Sequence, residues 1–255
     1  FTNSPKEMGI PGQEYFAGTH INPQVTWWQY SDAFFDYISR VQMITQRGKF
    51  VADVLYYYGD HVPNIAARKA SDPAKALPGY DYDVTNEDIF LALEVIDGKI
   101  VVPGGIHYEI LVLPDHKVLS FAVLQKVRDL LIQGATILGP KSERLMSLQG
   151  GSPAQERFLQ LADSLWGDDS YERVQRKVGQ GVLVSGYTAH EFLKESGLAQ
   201  DFCVSPRWSA RNFDYIHYTI SGSDVYFVSN QANKIEIVDL TFRVDRERVS
   251  KWDPI

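Results

Sequence analysis

The sequence holds a single cysteine, Cys203, which excludes an internal disulfide and a zinc site built on several thiolates. It has no apolar run approaching the roughly 20 residues that a membrane helix requires. Residues Phe1 to Pro5 lack the basic then apolar profile of a secretory leader. Positive charge is also scarce: 25 Lys and Arg stand against 32 Asp and Glu, the net charge is −7, and the basic residues form no stripe. Such a surface repels phosphate backbones, so nucleic acid is not an expected partner. What remains, 255 residues with 44% hydrophobic and 22% charged, is the composition of a soluble globular chain with one large domain or two ordinary ones. The chain opens on Phe1 without an initiator Met and is therefore expected to be a piece of a longer protein.

Aromatic residues are plentiful, at 13%, and gather most densely near the N-terminus. The Pro, Gly, Asn and Thr of residues 1–30 predict a long ordered loop, and Phe16, Trp27, Trp28, Tyr30 and Phe34 argue against disorder. Ser31 as an N-cap and Asp32 in the first turn predict a helix that buries Phe34, Phe35, Ile38, Val41 and Ile44 and ends at Gly48.

From Phe50 the texture becomes β-like, with Val51 to Tyr58 read as one strand and Tyr80 to Asp83 as a second. A helix is expected from Asn86 to Leu93, and Val95 to Val102 reads as a hairpin turning at Asp97-Gly98. A strand at 109–113, a helix at 120–132 stopped by Gly134 and a strand at 135–138 make a βαβ unit, which a parallel sheet requires. A helix at 154–166, a strand at 181–185 and a helix at 189–195 continue the alternation, so the fold class is α/β with a doubly wound sheet. Beyond Pro206, short strands at 215–220, 225–229, 234–240 and 241–244 predict antiparallel β structure. That stretch is too short for an independent sandwich, which commonly needs about 100 residues.

Three groups of residues invite chemistry. His20, Asn22, Trp27 and Trp28 place an imidazole, an amide and two indoles in one loop, and hydrogen-bonding groups beside flat apolar rings suit a sugar. The plainer reading is a loop packed by its own tryptophans, and on composition alone it leads. The carboxylates Asp53, Asp60, Asp81, Asp83, Glu87 and Asp88 invite a paired-carboxylate hydrolase, whose two groups must stand roughly 5 to 9.5 Å apart, or a cation site. Solvated side chains and helix caps are the favoured reading, and the pair at 81 and 83 lacks the rest of an EF-hand loop. Flavin binding and amidotransfer are disfavoured. The turn Gly59-Asp60-His61-Val62-Pro63 does not present amides to a phosphate, and Gly139-Pro140-Lys141-Ser142 carries no nucleophilic cysteine. Cys203 is expected to be a small buried hydrophobe.

The run Pro11-Gly12, Phe16 to Asn22 and Thr26-Trp27-Trp28, followed by Tyr37, Arg40, Gln42, Gly48 and Ala52-Asp53-Val54, resembles glycoside hydrolase family 106, the α-L-rhamnosidase-like enzymes. Gly79 to Asp83 with Asn86, Tyr215 to His217, Asp224 to Asn230, Phe242-Arg243 and Trp252 to Pro254 fit the same pattern. Pro23 and Tyr218 depart from it, standing where the family has basic residues. The resemblance implies a multidomain enzyme that hydrolyses a rhamnose-containing glycan or a related sugar with inversion, in a periplasmic or extracellular setting. On that plan residues 1–47 are the last loop and helix of a catalytic (β/α)8 barrel, with His20, Asn22, Trp27 and Trp28 facing the sugar. Residues 48–204 are then a flavodoxin-like domain, similar to the class I glutamine amidotransferase-like domain of family 42 β-galactosidases, and 205–255 begin a β-sandwich. The catalytic carboxylates and a calcium site of the parent enzyme would lie upstream. The chain itself is expected to hold no cofactor and, alone, to be inactive. The alternative is a non-catalytic binding or oligomerisation module of amidotransferase-like fold.

Overall fold

Local signals place most of the elements in the computed structural model, which describes residues 6–9, 21, 23, 25–59, 64–66, 77–167, 173–245 and 248–254. The helices are α1 Asp32–Thr45, α2 Glu87–Leu91, α3 Phe121–Gln133, α4 Gly151–Trp166 and α5 Ala189–Glu195. The strands are β1 Lys49–Val51, β2 Val54–Tyr57, β3 Tyr82–Thr85, β4 Glu94–Ile96, β5 Lys99–Val101, β6 His107–Tyr108, β7 Ile110–Val112 and β8 Val118–Leu119. They continue with β9 Thr136–Leu138, β10 Arg144–Leu145, β11 Val174–Val178, β12 Gly181–Ser185, β13 Phe202–Ser205, β14 Phe213–Ile220, β15 Ser223–Asn230 and β16 Asp239–Phe242. The chain divides into two compact units, residues 1–48 with 246–255, and residues 49–245.

In the larger unit a mixed six-stranded sheet runs in the order β11-β12-β9-β7-β2-β3. All its neighbours pair parallel except the β11–β12 hairpin. The α/β class expected from the alternation is therefore present. Every residue of β2 is buried, because successive side chains enter opposite cores. Leu55 and Tyr57 join Phe90 of α2, Val127 and Leu131 of α3 and Phe158 of α4, whereas Val54 and Tyr56 join Ala189 and Leu193 of α5. Each such side chain contributes about 1.5–3 kcal/mol of burial.

Helix α3 illustrates how sequence sets these elements. Ser120 caps it by accepting from Val123 N at 3.2 Å, Gly134 ends it in the left-handed region at φ 112°, and five apolar residues are buried along one face. The last turn of α3 lies against β12 so closely that a Cβ on Gly181 would stand 2.6 Å from the Leu131 carbonyl oxygen. The expected hairpin is β4–β5, with Asp97 and Gly98 both at positive φ, the condition for a tight primed turn.

Three expectations are corrected and one strand is added. The apolar run 51–58 is two strands in two sheets: β1 pairs antiparallel with β14, and β2 enters the parallel sheet after a break at Ala52-Asp53. The strand expected at 234–240 reduces to Asp239–Phe242. Just before it, Glu236 turns inward to meet Asn212 and Lys234 while Ile235 and Ile237 stay almost wholly exposed. Strand β11, unanticipated, reads Val-Gln-Arg-Lys-Val with its three central residues exposed, an edge strand whose charges conceal its period. Helix α1 was expected to bury its apolar face, yet none of its residues is buried. It is the one α-helix described in a unit of some 58 residues, which offers few surfaces to cover it.

Candidate functional site

In the smaller unit, His20 and Asn22 lie outside the described residues. Trp27 and Trp28 are described, and both are anchored to the first turn of α1. Trp27 meets Phe34 edge-on at 6.0 Å between ring centroids, and Trp28 meets Phe35 at 5.9 Å. The indoles stand 6.5 Å apart and the two phenyl rings 5.5 Å apart, so four rings interlock. Backbone bonds from Trp28 N to Val25 O at 3.2 Å and from Tyr30 N to Trp27 O at 2.9 Å tie the approach to the helix. The cluster leaves Trp27 37% exposed and Tyr30 74% exposed. Rigid indoles held this way can form the wall of a binding surface at small entropic cost. Arg40 of α1 donates to the Pro254 carbonyl at 3.0 Å, tying in the C-terminal residues of this unit.

Of the carboxylates singled out in the larger unit, Asp53, Asp81, Asp83 and Glu87 are each engaged. Asp81 Oδ1 accepts from Tyr82 N and Asp83 Oδ1 from Val84 N. Glu87 Oε1 accepts from the Ser120 hydroxyl at 2.6 Å, and Asp88 lies in the first turn of α2. Asp60 lies outside the described residues. Asp53 is buried, with Oδ1 accepting from Arg243 Nη2 at 2.8 Å.

Around that pair lies a network that the sequence did not reveal. Arg243 Nη2 also stands 3.7 Å from Asp201. Asp201, itself buried, faces His217 Nδ1 at 3.1 Å and accepts from the Tyr226 hydroxyl at 2.7 Å. The other ring nitrogen, His217 Nε2, is 3.2 Å from Asp224 Oδ1, and the imidazole stacks on Tyr226 at 3.9 Å. Burial, opposed by Arg243 and aided by the charges of Asp201 and Glu109, pushes the Asp53 carboxyl up to about 6. Burial, with the hydrogen bond to Asp201 adding to it, likewise raises the Tyr226 hydroxyl. Asp53 and Asp81 immediately precede β2 and β3, at the amino ends of parallel strands, whereas ligands of open α/β sheets bind at the carboxyl ends. The network therefore welds the antiparallel ribbon to the base of the sheet. The sequence signals that could have found it are polar residues at inward positions of apolar strands, such as His217 in β14.

The turn at 139–142 is also structural: the Gly139 carbonyl accepts from Trp166 Nε1 at 3.1 Å, and Lys141 pairs with Asp163 at 2.7 Å. Cys203, expected as a buried hydrophobe, is only half-buried and its thiol donates to Gln200 Oε1 at 3.0 Å. Among the described residues no group of three or more His, Cys, Asp or Glu stands close enough to hold a metal ion.

Comparison with known proteins brings this geometry into a wider frame. The family model Glyco_hydro_106, described as alpha-L-rhamnosidase, matches residues 1–255. A protein of Formosa agariphila named "Putative beta-glucuronidase" is 32% identical over 237 residues, covering 93% of this chain and 19% of its own length. The solved structure of a rhamnosidase from Novosphingobium sp. PP1Y superposes with a TM-score of 0.72 at 23% identity, over 88% of this chain and 21% of that one; the likeness is one of fold. A GH42 beta-galactosidase superposes at a TM-score of only 0.34 with 12% identity, over 75% of this chain and 40% of that one, and carries no argument. The chain spans about a fifth of the length of the first two relatives.

Proposed function

Because this chain belongs to glycoside hydrolase family 106, we propose that it is one part of a longer α-L-rhamnosidase-like enzyme. That enzyme hydrolyses a glycosidic bond of a rhamnose-containing glycan or related sugar, using two carboxylic acids and a water. The observation that carries the reading is a family match over every residue of the chain, and the interlocked Trp27, Trp28, Phe34 and Phe35 rings support it. In this reading residues 1–47 are the last loop and helix of a (β/α)8 barrel. Active sites of such barrels lie on the loops that follow the strands. His20 and Asn22 hydrogen-bond the sugar there, and Trp27 or Trp28 walls its pocket.

Residues 48–204 act as an accessory flavodoxin-like domain of the amidotransferase-like kind, and 205–255 begin a β-sandwich. The parallel strands support the flavodoxin-like reading. Taken in chain order, β2, β3, β7, β9 and β12 lie in the spatial order 2-1-3-4-5. In this reading a calcium site of the parent enzyme, like its catalytic carboxylates, lies upstream of this chain.

The test uses the complete enzyme. His20→Ala is expected to lower kcat/KM about tenfold or more with an unchanged melting temperature, the loss of a contact worth at least about 1.4 kcal/mol. Normal kinetics with early melting would make His20 a structural tie of the loop and reject the assignment.

A further inference from the structure

Between β15 and β16 the chain runs through residues 231–238 without secondary structure. The stretch Lys234 to Val238 nevertheless reads as a strand, with β-branched residues at 235, 237 and 238, and the structure keeps the period of two that a strand requires. Ile235 and Ile237 are 96% and 95% exposed, whereas Glu236 and Val238 between and after them are half-buried. This orientation is held from beneath. Glu236 accepts from Asn212 Nδ2 and from the Ser209 hydroxyl, and pairs with Lys234 at 3.1 Å, so the two isoleucines are fixed outward.

What the segment lacks is a neighbouring strand. Among the described residues, no backbone group of residues 235–238 meets another backbone group in a hydrogen bond. Strand β16, into which the segment leads, has β13 as its one sheet neighbour there, and a two-stranded sheet is marginally stable by itself. An unpaired stretch of this kind accepts an added strand.

Charge and length choose the occupant. A second copy of this chain would bring another net charge of −7 to the same surface and is repelled. The chain spans 19% of one relative and 21% of another, so a polypeptide of their size keeps about four-fifths of its residues outside it.

We infer that residues 234–238 are a docking edge for a β-strand from another part of the same polypeptide, outside residues 1–255. That strand sets apolar side chains beside Ile235 and Ile237. The inference rests on the reading above that this chain is one part of a longer enzyme. Pairing there gives the backbone groups of the segment their partners and removes two isoleucines from water.

Hydrogen–deuterium exchange, read by mass spectrometry, compares the complete enzyme with the 255-residue chain. Relative to the amides of α3, those of residues 235–238 are expected to exchange about tenfold slower or more in the complete enzyme. The double variant Ile235→Asp with Ile237→Asp should abolish that difference. It should leave the melting temperature of the 255-residue chain unchanged, because both side chains face water there. Equal relative exchange of residues 235–238 in the two proteins overturns the inference. So does a dimer of the 255-residue chain in sedimentation velocity that the double variant returns to monomer, since the edge then serves a second copy. Protection in a complete enzyme that turns over no rhamnoside rejects the proposed activity and upholds the docking edge; turnover without protection does the reverse.

Discussion

Asp53 carries an unusual load for a single residue, with one carboxylate oxygen on Arg243 and the other buried without a hydrogen-bond partner among the described residues. Burial is the main reason its carboxyl is pushed from 3.8 up to about 6. The folded chain therefore keeps a proton that the unfolded chain has released over that interval. The sign follows from linkage: the stability this group contributes is complete below about pH 4 and is lost as the pH rises through about 6. A shift of this size corresponds to about 3 kcal/mol. Asp53→Asn cannot titrate, so the stability of the wild type relative to it should increase as the pH is lowered from about 7 to 4, by up to about 3 kcal/mol. Urea unfolding of both proteins at the two pH values measures the difference. Parallel pH profiles would show that Asp53 titrates alike in both states. The sequence did not show this residue's role: Asp53 reads as an interruption in an apolar run, and its partner is 190 residues away.

At the scale of elements, β3 shows how a strand can be legible while its purpose is not. Tyr80 to Asp83 announced a strand, and Asp81 and Asp83 seemed to invite a cation or a catalytic pair. They instead occupy the amides of Tyr82 and Val84, a device that closes an exposed edge to pairing with other chains. Asp83→Ala should cost about 1 kcal/mol and raise self-association, measured by thermal melting and light scattering. Asp83→Asn retains an oxygen for Val84 N and should associate less than Asp83→Ala; equal association would assign the protection to charge alone. Elements whose signals are local were the readable ones. Helix α5 begins at the capping box of Thr188 and Glu191, and α3 lies between Ser120 and Gly134. Strand β11, marked by exposed charges, and the division of residues 51–58 between two sheets depend on distant partners, which no local window contains.

For the molecule as a whole, the decisive fact is that it spans about a fifth of its relatives' length. Assayed alone on aryl rhamnosides and galactosides, the 255-residue chain is expected to show no turnover where the complete enzyme does. Activity lost on mutating a carboxylate within residues 1–255 would show that the catalytic pair resides here. Of the candidate site, the tryptophan pair was visible in the sequence because its rings are adjacent, and α1 binds them through Phe34 and Phe35. The weld around Asp201 was not, because it gathers side chains from five separate stretches of chain. That weld also bears on the order in which the protein is made. A ribosome adding about 5–20 residues per second delivers Arg243 some 10–40 s after Asp53, 190 positions earlier. Throughout that interval the nascent sheet holds a carboxylate whose cation has not yet been synthesised. Arg243, just past β16, thus completes a contact begun at Asp53, and the fold of residues 49–245 stays provisional until translation has nearly passed through it.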